Sequence, residues 1–327
     1  LTQEVLDPFD GLADLKCKVL RHIGPSFAED PLRVLRAMQL SARLEFEIAP
    51  ETIELCGELD LAELSRERIF EEFRKLFLKA KRPSIGLEAA KKLGILRYFP
   101  ELKALIGVPQ DPEWHPEGDV WIHTLLVMDE AAQLRKGDEK QDLELMFSAL
   151  CHDFGKPLTT KFLRGRWRSP AHDIKGVVPT EQFLRRMTDD RILIEEVTTL
   201  VKEHLRPVQL FKERDRINTG TIRRLALRVR IPELVLLARA DYFGSTLSEN
   251  KRTHFEAGDW LLDEAERMDV RNKAPRPLLL GRHLLALGVT PGPEMGLILK
   301  QAFESQLNGD FQKEEDAIAW AKSYLSN

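Results

Sequence analysis

The feature that most limits how this chain can fold is an apolar segment that ends on an ionisable pair. Residues 147–151 are apolar except for one serine, and His152 and Asp153 follow directly, with Gly155 and Lys156 close behind. A carboxylate and an imidazole are costly to bury unless something pairs with both. Neutral imidazole and carboxylate are common ligands of divalent cations. The stretch therefore predicts an inward-running helix that ends at a metal site.

Further candidate ligands follow at intervals along the chain. The sequence has 8 histidines, and four of them form one ordered series with two aspartates. The predicted metal ligands are His123, His152, Asp153, His172, His204 and Asp241. Asp241, like the first pair, closes an apolar helical run. The alternative is a set of unrelated histidines in the core and on the surface.

The order H…HD…H…H…D, with residues 152–156 in the form HDxGK, resembles the HD phosphohydrolase superfamily. One divalent ion is expected to be held by His123, His152, Asp153 and Asp241. His172 and His204 are expected to complete a second position or to contact the substrate phosphate. Mixed nitrogen and oxygen ligation is compatible with Mg, Mn or Ni, and also with Fe or Zn.

The expected catalytic residues are Asp153 and Lys156. Lys156 lies one turn past the His-Asp pair, where its charge can stabilise the phosphate or the leaving oxygen. The resemblance implies 2′,3′-cyclic phosphodiesterase, 2′-nucleotidase or phosphatase activity on nucleotides or RNA ends. His115, in a loop upstream of His123, is a further residue that could assist the substrate.

Other segments resemble bacterial class II tRNA nucleotidyltransferases, the CCA-adding enzymes and their poly(A) polymerase relatives. They are residues 7–15, 29–36, 66–72, 115–124 and 288–296, so the resemblance extends over essentially the whole chain. In that family, the segment that matches residues 29–33 reads the incoming nucleotide. The expected nucleotide-binding residues are Glu29, Asp30, Arg33, Arg36, Arg66 and Arg68.

The chemistry of Asp30 and Arg33 is consistent with base reading. A carboxylate accepts a hydrogen bond from the exocyclic amine of cytosine or adenine, while a guanidinium donates to the ring acceptor beside it. Residues i and i+3 at a helix start lie on the same side of the helix. The alternative is structural: Asp30 caps the helix that begins at Pro31, and Arg33 is its ion-pair neighbour.

The family's polymerase head needs a Gly-Gly-x-Val-Arg-Asp loop and an Asp-x-Asp pair, and the 327 residues contain neither motif. We therefore expect nucleotidyl transfer to need a head domain outside the chain, with ATP and CTP as its substrates. Because the chain begins at Leu1, we expect the β-leaning runs at 4–6 and 18–23 to be the end of that head's sheet. The motifs do not distinguish CCA-, CC-, A- and poly(A)-adding enzymes.

The expected fold class is all-α, predominantly helical, elongated and multi-domain, with a small residual β segment at the N-terminus. Apolar periodicity and capping signals predict helices at 31–44, 50–56, 65–73, 84–94, 252–268, 281–287, 294–307 and 314–325. Four domains are expected: a head-sheet remnant at 1–25, a nucleotide- and RNA-binding neck and body at 26–111, an HD phosphohydrolase domain at 112–245, and a helical tail at 246–327.

Residues 161–168, Lys-Phe-Leu-Arg-Gly-Arg-Trp-Arg, interrupt the helical HD segment. They predict a glycine-centred, strongly basic, hairpin-like loop. The loop is either a solvated connector or a phosphate clamp above the metal site, since its cations would meet an RNA end.

Composition limits the remaining classes of function. A net charge of −4, with 43% hydrophobic and 31% charged residues, argues against disorder and against a uniformly basic nucleic-acid binder. No apolar run approaches the roughly 20 residues of a membrane span, and the 3 cysteines form no framework. We therefore expect a cytoplasmic protein without a membrane partner, which binds nucleotides and the tRNA 3′ end or other RNA. The alternatives are a free-standing HD phosphohydrolase, a poly(A) polymerase relative and a degenerate RNA-binding body, although the intact ligand series argues against the last.

Overall fold

The structure is a computed structural model that describes residues 6–246 and 254–326. These residues are predominantly helical, which confirms the expected fold class, and their strands are only two or three residues long. The first helices are α1 (Gly11–Cys17), α2 (Leu32–Leu44), α3 (Pro50–Glu58), α4 (Arg66–Lys79), α5 (Pro83–Lys92) and α6 (Pro100–Ala104). No helix within the described ranges is long and apolar enough to cross a membrane.

The rest of the chain continues as helices with one hairpin. Six helices follow: α7 (Val120–Gln133), α8 (Glu139–Cys151), α9 (Lys156–Thr159), α10 (His172–Lys175), α11 (Val177–Arg185) and α12 (Arg191–Glu203). The last seven are α13 (Arg206–Lys212), α14 (Thr219–Ala226), α15 (Ile231–Gly244), α16 (Glu256–Arg267), α17 (Gly281–Ala286), α18 (Pro293–Asn308) and α19 (Glu314–Leu325). The strands are β1 (Val19–Leu20), β2 (Glu47–Ile48), β3 (Lys161–Leu163) and β4 (Arg166–Arg168).

The chain divides into two compact units. The first comprises residues 1–205 and 236–255, and the second comprises residues 206–235 and 256–327. The predicted metal ligands and the predicted nucleotide-binding residues all belong to the first unit. The expected four-domain organisation divides the chain by function and stays a prediction.

Helix α8 confirms the inward-running helix predicted from residues 147–151. The Asp138 carboxylate caps it by accepting a hydrogen bond from the backbone N–H of Gln141 at 2.9 Å. Every residue from Asp142 to Cys151 is buried. Such a cap is worth about 1 kcal/mol, so the sequence itself specifies where α8 begins before it enters the core.

Buried aromatic rings join α4 to the helices that surround the end of α8. The ring of Phe73 lies 5.3 Å from that of Phe99 and 6.3 Å from that of Phe183 on α11. The ring of Phe77 lies 5.0 Å from that of Phe147 on α8. Edge-to-face pairs contribute about 0.5–1.5 kcal/mol each beyond burial. Helices α4, α8 and α11 therefore share one core.

The N-terminal β segment is paired in a way that the sequence did not predict. Strand β1 lies parallel to β2, whose residues Glu47 and Ile48 showed no strand signal. Of the predicted run at 4–6, residues 4 and 5 lie outside the described residues. Helix α1 was also not predicted; it follows a turn in which the Asp7 carboxylate accepts hydrogen bonds from the N–H groups of Gly11 and Leu12.

Most helix boundaries lie close to their predicted positions. Helix α19 has its predicted bounds, and α3 begins at its predicted residue, Pro50. Helix α2 begins at Leu32, one residue later than predicted, although Pro31 already has helical dihedral angles. The start predicted at residue 252 lies outside the described residues, and α16 begins at Glu256.

The second unit has a core of its own. Helices α17, α18 and α19 contribute buried apolar side chains to one cluster, which consists of Leu279, Leu284, Ile298, Ala302, Phe311, Ala317 and Ala321. The residues after α17 form a tight connector to α18, with Gly288 at a positive φ of 86°. Glycine adopts this conformation without steric cost.

Close packing around Gly86 on α5 gives a prediction about stability. A Cβ at this position would lie 2.6 Å from Leu76 Cδ1 and 3.1 Å from the carbonyl oxygen of Met38. Because overpacking costs about 1–3 kcal/mol, we expect Gly86→Ala to lower the free energy of unfolding by that amount in urea titrations followed by circular dichroism. Gly57→Ala on α3 is the control, because nothing lies within 4 Å of its Cβ position. Equal effects of the two changes would contradict this account.

Candidate metal centre

The six predicted ligands converge on one point of the first unit. They come from separate elements: His123 from α7, His152 and Asp153 from the end of α8, His172 from α10, His204 from the end of α12, and Asp241 from α15. Ring centroids are 5.4 Å apart for His123 and His152, and 5.6 Å apart for His152 and His204. Those of His172 and His204 are 5.2 Å apart. All four rings are buried.

Three of the imidazoles are oriented by the backbone turn that precedes them. In each, Nδ1 donates to the carbonyl oxygen three residues earlier, at 2.8 Å for His152, 2.8 Å for His172 and 2.6 Å for His204. A carbonyl oxygen can only accept, so Nδ1 carries the proton. Nε2 is then the atom with a free lone pair, as metal coordination requires.

The Asp153 carboxylate lies between the imidazoles. Its Oδ2 is 3.2 Å from His152 Nε2 and 3.9 Å from His123 Nε2, while Oδ1 is 3.4 Å from His172 Nε2. Asp241 Oδ1 lies 3.0 Å from His123 Nε2 and 3.7 Å from His152 Nε2. The two oxygens of Asp153 therefore face different histidines.

Two groups of predicted ligands could each hold a metal ion, and Asp153 belongs to both. One group is His123, His152 and Asp153, and the other is Asp153, His172 and His204; within each, the ligand atoms lie within 4.8 Å of one another. A third such group consists of His115, Glu117 and His123.

Several buried atoms of this centre have no hydrogen-bond partner in the described part of the chain. They are His152 Nε2, His204 Nε2 and Asp153 Oδ1. An unsatisfied buried polar group costs about 1–3 kcal/mol. A divalent cation would satisfy all three atoms, because it accepts both imidazole nitrogen and carboxylate oxygen as ligands. The residues present therefore fit a divalent metal.

Electrostatics hold Asp153 and His204 in the protonation states that metal binding needs. Burial opposes the charge of Asp153, but nearby His152 and Lys156 hold the pKa of its carboxyl well below the usual value. Burial, helped by repulsion from His172 and His152, lowers the pKa of His204 to about 4. At neutral pH the aspartate is ionised and His204 is neutral, as metal ligands must be.

Glu117 is a site residue that the sequence analysis missed. Its side chain is buried, and its Oε1 lies 2.9 Å from Nδ1 of both His115 and His123. Burial opposes its ionisation, but the hydrogen bonds from the two histidines hold the pKa of its carboxyl far below the usual value. The carboxylate thus orients His123 with Nε2 towards the centre. Glu117 lies in a loop that folds back against α7. No helical or strand periodicity therefore marks it in the sequence.

Lys156 reaches the centre from the first turn of α9. Its Nζ is 2.7 Å from Asp153 Oδ2 and donates to Gln110 Oε1 at 2.7 Å. Gly155, just before α9, allows the backbone of α10 to come close, because a Cβ on residue 155 would lie 1.9 Å from the carbonyl oxygen of His172. The glycine of the HDxGK segment is therefore a steric requirement for bringing α9 against α10.

Asp30, predicted to read a nucleotide base, has both a structural contact and an ion pair. Its Oδ1 accepts from the backbone N–H of Leu32 at 3.1 Å. Its ion-pair partner is Arg68, whose Nη2 is 3.0 and 2.9 Å from the two carboxylate oxygens. Two of the predicted nucleotide-binding residues are thus in direct contact, Asp30 just before α2 and Arg68 on α4. Glu29 precedes Asp30 directly.

The other predicted arginines of the neck point in different directions. Arg33 donates to the carbonyl oxygen of Ser26, and Arg36 Nε lies 3.9 Å from Glu72. Arg66 Nη1 lies 2.9 Å from Asp189, which follows α11. The structure therefore groups Asp30 with Arg68 and places Arg66 beside the helices of the metal centre.

Two protein-family models match this chain. Residues 45–106 match a family described as "Probable RNA and SrmB- binding site of polymerase A". Residues 120–245 match the HD domain. All six predicted ligands lie within the second match.

Curated relatives cover much of the chain. A "Multifunctional CCA protein" of Xylella fastidiosa (strain 9a5c) is 39% identical over 252 residues, which cover 73% of this chain and 59% of the relative. The protein of that name from Actinobacillus pleuropneumoniae serotype 5b (strain L20) is 37% identical over 285 residues, which cover 82% of this chain and 67% of the relative. This chain thus spans about three fifths of the Xylella protein.

A solved structure has a similar fold. The Thermotoga maritima CCA-adding enzyme complexed with tRNA matches with a TM-score of 0.53 and 18% identity. The match covers 98% of this chain and 67% of that one.

The role of Glu117 gives a prediction about metal affinity. Carboxylates that orient a ligating histidine typically contribute about 10–100-fold to metal affinity. We therefore expect Glu117→Gln to weaken Mn²⁺ binding by that factor in isothermal titration calorimetry. Glu113→Gln is the matched control from the same loop, since Glu113 pairs with Arg166 at 2.7 Å rather than with a histidine. Unchanged affinity in Glu117→Gln would refute the orienting role.

Proposed function

We propose that the HD centre of this chain, which belongs to the class II CCA-adding enzyme family, hydrolyses phosphate esters at the ends of nucleotides or RNA. The observation that carries this proposal is the convergence of six metal-ligand side chains around buried donor atoms without partners. Such a set of imidazoles and carboxylates is suited to a divalent cation. A purely structural histidine cluster would not leave those atoms unsatisfied.

The proposed ion is held by His123, His152, Asp153 and Asp241, with His172 and His204 at a second position beside Asp153. We propose Mg, Mn or Ni, because each is compatible with mixed nitrogen and oxygen ligation. When bound, such an ion polarises a phosphoryl oxygen and lowers the pKa of a water molecule.

Lys156 is proposed to stabilise negative charge on the phosphate or on the leaving oxygen. Its ammonium lies beside Asp153 and is almost fully buried. A fixed charge in a water-poor site stabilises a developing anion more strongly than it would in water. The hydrogen bond to Gln110 keeps the ammonium directed at the centre. Lys156 therefore acts as a catalytic residue in this proposal, and Gln110 positions it.

RNA with a 2′,3′-cyclic phosphate is the proposed substrate class. Residues 45–106 match a family model described as an RNA-binding site, and the aromatic core joins α4 of that segment to α8 and α11. A fold relative is described as a CCA-adding enzyme complexed with tRNA. Hydrolysis of the cyclic phosphate at a damaged tRNA 3′ end would open it to a phosphomonoester, and a second hydrolysis would release inorganic phosphate and leave a terminus to which nucleotides can be added.

The neck is proposed to read the base of incoming CTP or ATP. Asp30 would accept a hydrogen bond from the exocyclic amine, and Arg33 would donate to the ring. Arg68 supports this role because its guanidinium holds the Asp30 carboxylate in one orientation. Glu29, Arg36 and Arg66 would complete the nucleotide-binding surface. Nucleotidyl transfer itself is proposed to need a head domain that these 327 residues do not include.

Hydrolysis of 2′,3′-cyclic AMP tests the proposed activity. We expect turnover that depends on a divalent metal, that EDTA removes and that added Mn²⁺ or Ni²⁺ restores. Asp153→Ala should reduce turnover to background, because this carboxylate belongs to both groups of ligands. The control is Glu195→Ala, which removes an exposed carboxylate from α12. Absence of turnover by the unmodified chain with any metal would refute the hydrolase proposal.

A further inference from the structure

The hairpin of β3 and β4, residues 161–168, joins two parts of the metal centre. The strands pair antiparallel, with Phe162 opposite Trp167. The hairpin directly follows α9, which carries Lys156, and leads into α10, which begins at His172. All eight of its residues are exposed, so packing in the core does not explain their sequence.

Hydrogen bonds connect both ends of the hairpin to site residues. Thr160 Oγ1, just before β3, donates to the carbonyl oxygen of Lys156 at 2.7 Å and lies 2.8 Å from Ser169 Oγ, just after β4. The carbonyl oxygen of Ser169 accepts from His172 Nδ1 at 2.8 Å. Arg166 is also paired at 2.7 Å with Glu113, in the loop that carries Glu117. The hairpin therefore has a fixed origin at the rim of the centre.

The charge of the hairpin is entirely positive. Lys161, Arg164, Arg166 and Arg168 are its ionisable residues. In the part of the chain that the structure describes, only Arg166 of these four has a carboxylate within 4 Å. A cluster of cations without acidic partners attracts a polyanion, although the chain as a whole carries a net charge of −4.

Two aromatic side chains on the hairpin are exposed. Phe162 is 60% and Trp167 is 37% accessible, and their rings meet edge to face with centroids 5.2 Å apart. As cross-strand partners, they lie on one face of the ribbon. Exposed ring faces next to arginines are the combination that binds unpaired nucleotides, whose bases stack on the rings while cations contact phosphates.

The turn of the hairpin carries an arginine, Arg164, in a backbone conformation that is unfavourable for arginine. Arg164 and Gly165 have φ of 54° and 78°, as in the two-residue turns that favour Asn-Gly. Arginine is disfavoured at a positive φ, whereas asparagine tolerates it. Local backbone preference therefore argues for asparagine, so the arginine calls for another explanation.

We propose that this hairpin binds the single-stranded end of an RNA and presents its terminal phosphate to the metal centre. A base stacks on the Phe162 and Trp167 face, and Lys161, Arg164 and Arg168 contact the phosphates. The cross-strand pair Lys161 and Arg168 lies on the opposite face of the ribbon from the two rings, so their long side chains contact the phosphates around its edge. This inference rests on the proposed hydrolase function, because it explains how the RNA strand that is hydrolysed reaches the metal centre.

Binding of a labelled single-stranded RNA of about eight nucleotides, a length that such sites accommodate, tests the inference by fluorescence anisotropy. Trp167→Ala should raise the Kd about 5- to 100-fold, as loss of one stacked base predicts. Arg164→Asn should leave folding intact, because Asn-Gly suits the turn, yet make the dependence of log K on log salt shallower by about 0.7. The matched control is Arg191→Asn, at an exposed arginine of α12 outside the hairpin. The proposal would be overturned if neither hairpin variant changed the Kd or the slope of log K against log salt.

A duplex RNA of the same length separates base stacking from simple charge attraction. Stacking requires unpaired bases, so Trp167→Ala should change duplex affinity less than twofold. If Trp167→Ala weakened the binding of duplex and single-stranded RNA by the same factor, the assignment to single strands would be overturned.

Turnover separates this inference from the hydrolase proposal. With an oligonucleotide ending in a 2′,3′-cyclic phosphate, Trp167→Ala should raise KM and leave kcat within about twofold of the unmodified chain, since the ring touches no reacting atom. If RNA binds through the hairpin but is not hydrolysed by the unmodified chain, the hydrolase proposal fails and the binding role stands. If hydrolysis proceeds with an unchanged KM in the variant, the binding role fails and the hydrolase stands.

Discussion

A buried carboxylate surrounded by imidazoles is the constraint on which the first unit depends. Asp153 is buried at the end of α8, where the ammonium of Lys156 compensates its charge and the Nε2 atoms of His152 and His172 face its two oxygens. Removal of one such partner would leave an uncompensated buried charge, which typically costs several kcal/mol. The elements that carry these partners must therefore converge at one place. A divalent ion would complete this compensation by using the donor atoms that remain without partners.

The convergence is maintained by contacts outside the ligand set. Backbone carbonyls fix the ring orientation of three histidines, and Glu117 fixes that of His123. Gly155 lets α9 and α10 approach to backbone contact. The hairpin starts from this same contact, because Thr160 and Ser169 join its ends to Lys156 and His172. The metal centre and the basic hairpin are therefore parts of one structural arrangement.

The neck and the metal centre share a core while they have separate chemistry. Phe73 and Phe77 on α4 pack against rings of α8 and α11, whereas Arg68 on the same helix pairs with Asp30. One face of α4 thus packs against the helices of the candidate metal centre, and its start contacts the proposed base-reading residue. A rigid connection of this kind would keep an RNA held by the body at a fixed distance from the HD centre.

The sequence by itself predicted many of the helices, the order of the candidate metal ligands and the basic loop between two of them, because periodicity, caps and residue chemistry are local properties. Helix α19 and the start of α3 were predicted to the residue, and the apolar run before His152 was enough to predict burial. Only the tertiary structure decided that Glu117 orients His123, that Arg68 holds Asp30, and that β1 pairs with β2. These contacts join residues through loops or across long separations, and they arise from packing rather than from a repeating pattern. The contacts of the two Asp153 oxygens are of the same kind, because only the positions of α7, α8 and α10 decide which histidine each oxygen faces.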